Sequence, residues 1–171
     1  MVQVLSGIFT AQMDEPFVVF ILGMCVNQPL AFKKWVPTAR AMGPMLRELQ
    51  QNPQKGLLGV EQFLYWPGAV LVQYWRSYED LERFARNPDD PHLPAWRRFN
   101  QTVGSDGSVG VWHETYVVEA GRHEAIYNNM PVFGLAKATE HVPAKGRLEI
   151  ARRRLRRGEN EPAVPSPEQR V

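Results

Sequence analysis

Apolar and polar positions follow two different periods along this chain, and the changes of period mark out its elements. Residues 17–26, FVVFILGMCV, are apolar almost throughout, the pattern of a strand buried on both faces; the strand runs over 17–27 and Gln28–Pro29 ends it. Residues 30–52 change to a helical period, with Trp35, Ala39, Met42, Leu46 and Leu49 recurring on one stripe. Pro37 suits a first helical turn, whereas Gly43–Pro44 falls inside the pattern and predicts a kink or a break into two short helices. Residues 56–66 and 69–76 read as paired strands. Pro67–Gly68 between them suits the centre of a type II turn, proline fixing φ and glycine accepting a positive one.

Ser77 then caps a helix whose inner face is Leu81, Phe84 and Ala85. Asp80 resembles the acid of a capping box, and Glu79–Arg83 and Glu82–Arg86 are expected as pairs on the outer face. After a break at 87–91, residues 92–103 place His92, Trp96, Phe99 and Val103 on a second helical stripe. Residues 109–118 form the last long strand. Residues 1–16 are weakly patterned, either an edge strand over 2–9 or a loose segment. Beyond Gly121 the pattern turns irregular, with residues 128–131 unsuited to regular structure. A basic helix fits 147–157, and the proline-bearing residues 158–171 are expected to be disordered.

The order strand, helix, strand, strand, helix, strand is the ferredoxin-like βαββαβ motif. It predicts an α+β fold with a four-stranded antiparallel sheet and both helices on one of its faces. A single domain is expected over 1–146, followed by the basic segment and tail over 147–171. Apolar residues on both faces of the strands predict that a second copy covers the other face. The result would be a homodimer.

Composition narrows the class. The 171 residues are 44% apolar and 22% charged, as in a soluble globular protein. The net charge of +2 conceals six arginines within 147–157; the remainder is near neutral, which argues against a nucleic-acid surface. One cysteine, Cys25, excludes an internal disulfide framework and any multi-cysteine metal site. The apolar run at 17–26 is about half the length of a membrane-spanning helix. Asp14 and Glu15 precede it where a signal peptide carries cations, so a cytoplasmic protein is expected. No His/Asp/Glu grouping has metal-site spacing, and no glycine-rich loop or dinucleotide fingerprint points to flavin or nicotinamide.

Two segments carry a family resemblance: YWRSYEDLERFAR…HLPAW, and VGVWHETYVV…EAIYNNMP. With the βαββαβ order they resemble the dimeric α/β-barrel, antibiotic-biosynthesis-monooxygenase-like superfamily. Within it they resemble the bacterial and fungal monooxygenase-like group related to a terpenoid-biosynthesis oxygenase, over residues 17–135. The most specific part is WHETY followed by Glu124, Tyr127, Asn129, Met130 and Pro131 in the pattern E-x-x-Y-x-N-M-P. The resemblance implies a pocket between helices and sheet, and a dimer packed sheet to sheet. It also implies either oxygenation of electron-rich substrates without metal or flavin, or haem binding, as in haem-degrading oxygenases and aldoxime dehydratases. No cofactor is favoured, with haem the second choice.

His92 and His113 are the candidate acid/base groups, because imidazole moves protons near neutral pH. His92 could equally be an axial haem ligand or a satisfied core histidine. Strand alternation puts His113 and Glu114 on opposite faces, with Trp112 and Tyr116 on the side of Glu114. His113 is expected toward the helices and near His92; a place in the dimer interface is the alternative. Trp75, Trp96, Phe99, Trp112, Tyr116 and Tyr127 are candidate substrate-binding residues, plain core packing being their other reading. Glu124 requires a partner, with Arg122 or a backbone donor available. His123 and His141 are expected on the surface. The function expected is a small monooxygenase for a hydrophobic or aromatic metabolite. The alternatives are a haem-binding protein of the same fold and a non-enzymatic ligand-binding dimer.

Overall fold

The computed structural model describes residues 3–155. Its strands are β1 (Leu5–Gln12), β2 (Phe17–Val26), β3 (Leu57–Tyr65), β4 (Gly68–Trp75), β5 (Val109–Val118), β6 (Tyr127–Met130) and β7 (Glu140–Pro143). Its helices are α1 (Phe32–Gln51), α2 (Tyr78–Arg86), α3 (His92–Thr102) and the short α4 (Ala151–Arg154). Strands β2 to β5 form a four-stranded antiparallel sheet in the order β3-β4-β2-β5, the ferredoxin-like arrangement expected of this pattern. Among the described residues no barrel closes. No helix there is long and apolar enough to cross a membrane.

Register decides which side chains meet the helices. Val18 lies opposite Trp75 and Val117, Phe20 opposite Gln73 and Thr115, and Leu22 opposite Leu71 and His113. Directly paired residues point to one side of a sheet, so these rows share a face. That face is the helical one, since Val18 and Trp75 are buried with Met45 and Leu49 of α1 and Leu81 and Phe84 of α2. α1 runs unbroken for 20 residues with Pro37 and Pro44 inside it, so the expected break is not there. Its inward face is Ala41, Met42, Met45 and Leu49, while Ala39 is exposed and Trp35 donates its indole N–H to the Pro29 carbonyl at 3.0 Å.

The β3–β4 hairpin forms, but its turn sits one residue earlier than expected. Tyr65 pairs with Gly68, which leaves Trp66–Pro67 as the turn, joined by a cis peptide bond. Gly68 is needed for close approach rather than for a positive φ: a Cβ there would overlap the Met24 carbonyl oxygen and the Tyr65 ring. At α2, Ser77 accepts from the Asp80 amide at 3.1 Å. Asp80 is only 6% exposed, and a buried carboxylate draws cations. Arg83 therefore pairs with Asp80 at 2.7 Å rather than with Glu79, and Arg76 adds a second contact at 2.8 Å. The Glu82–Arg86 pair forms as expected, at 3.0 Å.

The segments read as loose build a second sheet. β1 pairs with β6 and β7 in the order β6-β1-β7, with Phe9 opposite Tyr127 and Ala11 opposite His141. Each strand alone has little signal, and each satisfies the backbone of a remote partner. Ala11 packs with Leu135, Ala136 and Phe17, with Val19 and Tyr74 alongside, so this layer covers part of the main sheet's far face. The face assigned to a second copy is thus partly covered by the chain itself. Arg154 of α4 is drawn into the fold, its side chain 8% exposed, its Nε 2.8 Å from Glu124 and its Nη1 2.6 Å from the Leu148 carbonyl. Arg154, not Arg122, is the partner of Glu124; Arg122 lies 3.8 Å from Glu119. The expected disordered tail at 158–171 lies outside the described residues.

His123 and His141 are not surface groups. His141 packs against Phe9 and Tyr127, His123 edges against Phe17, and His123 Nδ1 and His141 Nε2 are buried without a hydrogen-bond partner. Burial pushes the His123 imidazole below its ordinary value, against an upward pull from the Ala11 backbone. An unfolded histidine titrates near 6.5, so protonation below about that pH favours the unfolded chain. The stability tied to a neutral His123 is complete above about pH 6.5 and lost as pH falls through the lower folded value. Urea melts between about pH 7.5 and 5.5 should show wild type losing more stability than His123→Gln; equal losses would contradict this.

Candidate functional site

Strand β5 is where the helical layer stops covering the sheet. Val111, His113, Thr115 and Val117 face the helical side and all are exposed. Next to them Phe20, Leu22 and Met24 of β2 are half-buried, forming an apolar floor beside β5. The His113 ring lies 5.5 Å from Phe20 and makes no hydrogen bond among the described residues, so both ring nitrogens are uncommitted. One strand further, Gln73 is 4% exposed and accepts the Trp75 indole N–H at 2.9 Å. The uncovered strip of the helical face beside β5 is thus an open trough floored by Phe20, Leu22 and Met24, with the His113 imidazole at its edge and Gln73 one strand further in, beyond Phe20.

His92 stands elsewhere. At the first turn of α3 its Nδ1 is 2.9 Å from the Ala85 carbonyl at the end of α2, and its ring is 6.4 Å from Phe84. A carbonyl accepts only, so Nδ1 carries a proton, and in the neutral ring Nε2 holds the lone pair. No ring contact or hydrogen bond among the described residues joins His92 to His113. Of the candidate substrate-binding residues on this side, Trp75 is fully buried with its ring 5.8 Å from Phe84, and Trp96 stacks on Phe99 at 5.5 Å and 14°.

Trp112, Glu114 and Tyr116 occupy the far face of β5. The Trp112 indole lies on Gly23, where a Cβ would come within 2.6 Å of its nitrogen, which is why a glycine interrupts the apolar run of β2. The Tyr116 hydroxyl donates to Glu114 at 2.6 Å, and that bond raises the Tyr116 pKa.

Tyr127 belongs to a polar knot with residues not singled out from the sequence. Its hydroxyl accepts from the Ala136 amide at 3.2 Å, while Glu61 accepts from the Gly134 amide and from Lys137, each at 2.8 Å. Burial is the main cause raising both Tyr74 and Tyr127; neighbouring Glu61 adds to it, and backbone amides at 135–136 pull the other way. Gly134 has φ +60°, and a Cβ there would lie 3.4 Å from the Tyr74 hydroxyl. The knot fastens the turn at Gly134–Lys137 to the far face of the sheet. A glutamate in the middle of the apolar strand LLGVEQFLY was its one visible signal.

A hollow of about 290 Å³ is lined by Gln12, Met13, Asp14, Glu15, Ala138, Thr139 and Glu140. Haem requires an axial ligand above an apolar slot. This hollow offers three carboxylates and no imidazole, so its residues do not fit haem.

A model of the monooxygenase af470-like family matches residues 17–135. Monooxygenase af470 of Aspergillus fumigatus is 30% identical over 125 residues, covering 66% of this chain and 42% of that protein. An aldoxime dehydratase crystal structure superposes with a TM-score of 0.63 at 18% identity, over 84% of this chain and 45% of the other. A second aldoxime dehydratase, in complex with butyraldoxime, gives 0.61 at 16% identity, over 81% and 43%. The chain spans less than half the length of each of these relatives. At such identities the two structures share a fold and nothing finer. The match over residues 17–135, from β2 into the knot, shows that the chain belongs to the monooxygenase af470-like family.

Proposed function

We propose that the chain is a cytoplasmic, cofactor-independent small oxygenase that takes a hydrophobic or aromatic metabolite in the trough between the helices and β5. The observation that carries this reading is the uncommitted His113 imidazole, exposed on the helical face over Phe20. Its role is to take a proton from an electron-rich substrate, leaving an anion that can pass an electron to dioxygen. His92 is the second acid/base candidate, with its proton held on Nδ1 and Nε2 free to accept another. Trp96 and Phe99 supply further aromatic surface for the substrate.

A homodimer is part of the same proposal. The far face still presents exposed Trp112, Tyr116, Phe63 and Tyr65 beyond the small sheet. A second copy there would cover these aromatic side chains. Sedimentation equilibrium should find a dimer that Trp112→Glu converts to a monomer; a monomeric wild type would refute the dimer. Hemin titration separates the oxygenase from a haem protein of the same fold. Featureless added absorption is expected. A sharp Soret band that disappears in His113→Ala or His92→Ala would replace the oxygenase reading.

A further inference from the structure

The trough contains one donor that the fold leaves unspent. An indole N–H can only donate, so the Gln73 atom 2.9 Å from Trp75 Nε1 has to be its carbonyl oxygen. The amide is oriented by chemistry rather than by choice of fit. Its NH₂ group then points away from Trp75, and neither of its protons has a partner among the described residues. Gln73 is 4% exposed, and among the described residues its amide nitrogen is not one of the fully enclosed unpartnered atoms, so this donor keeps a narrow opening toward solvent.

Its position makes the unspent donor useful. Gln73 on β4 pairs with Phe20 on β2, and Phe20 pairs with Thr115 on β5, so the three form one row on the helical face. Adjacent strands lie about 4.8 Å apart, which places Gln73 on the order of 10 Å from Thr115 with Phe20 between them. His113, one step along β5, meets that same Phe20 ring. A flat molecule resting on Phe20 reaches the amide at one end and the imidazole at the other.

We infer that Gln73 is a specificity-determining residue whose NH₂ donates to an acceptor oxygen of the bound molecule. The trough then selects an apolar body carrying a carbonyl or enolate oxygen. The inference rests on the reading of the trough as the substrate site. Trp75 acts on the ligand only through Gln73, as a positioning residue that holds the amide in this orientation.

1-Tetralone and tetralin test this, because they share a bicyclic body and differ by one carbonyl. Tryptophan fluorescence titration should show wild type binding 1-tetralone about 5- to 10-fold more tightly than tetralin. Gln73→Glu keeps an acceptor for Trp75 but removes the amide donors, and Gln73→Met removes both. Each should bind the two compounds equally. A preference that survives in both variants, or a wild type that binds both compounds equally, overturns the role of Gln73 and leaves the trough standing. If wild type binds neither compound, the trough falls, and the role of Gln73 with it.

Discussion

Trp75→Ala is expected to leave the chain largely unfolded at physiological temperature. Trp75 is fully buried, at the point where Val18, Met45, Leu49, Leu81 and Phe84 meet. Large-to-small changes of a buried tryptophan cost about 3–5 kcal/mol through lost transfer energy and the cavity left behind. The whole stability of a domain is about 5–15 kcal/mol, so this one change removes a large share of it. It also leaves Gln73 Oε1 without the donor that holds it. Trp75→Phe separates the two effects, since it refills most of the volume but not the hydrogen bond, and about 1–2 kcal/mol should be lost. Urea melts followed by circular dichroism measure both variants. An alanine variant losing less than about 1 kcal/mol would mean the core is organised elsewhere.

His113→Ala is expected to behave in the opposite way. The side chain is exposed, has one ring contact and makes no hydrogen bond among the described residues, so its removal should change stability by no more than about 0.5 kcal/mol. Turnover should fall by about 10²–10⁴-fold, the usual contribution of a positioned acid/base group. His92→Ala differs in kind. It removes the contact to Ala85 that ties α3 to α2, and should cost about 1 kcal/mol whatever it does to rate. Melting curves and rates for the two variants together distinguish a chemical role from a structural one.

The main sheet was legible because its signals are local. The apolar run that becomes β2, the Ser77 cap and the strand over 109–118 each announce themselves within about ten residues, and β5 has the expected bounds. The small sheet was not legible. Phe9 meets Tyr127 and Ala11 meets His141 across more than a hundred residues, and no local period reports such pairings. The same limit applies to the candidate site. Alternation separates His113 from Glu114, but only the register of Phe20 with Thr115 shows which of them faces the helices. A helical stripe places Trp96 and Phe99 together and is silent on what that stripe meets. Their stacking apart from Trp75 follows from packing, as does the Glu61–Lys137 pair.

The most direct test is dioxygen uptake, with phenols, naphthols and β-diketones as a panel and wild type compared with His113→Ala at equal folded concentration. The account predicts that wild type consumes dioxygen with at least one electron-rich compound and that His113→Ala, folded and of the same oligomeric state, loses most of that uptake. Uptake unchanged in His113→Ala, or none from wild type across the panel, would contradict it.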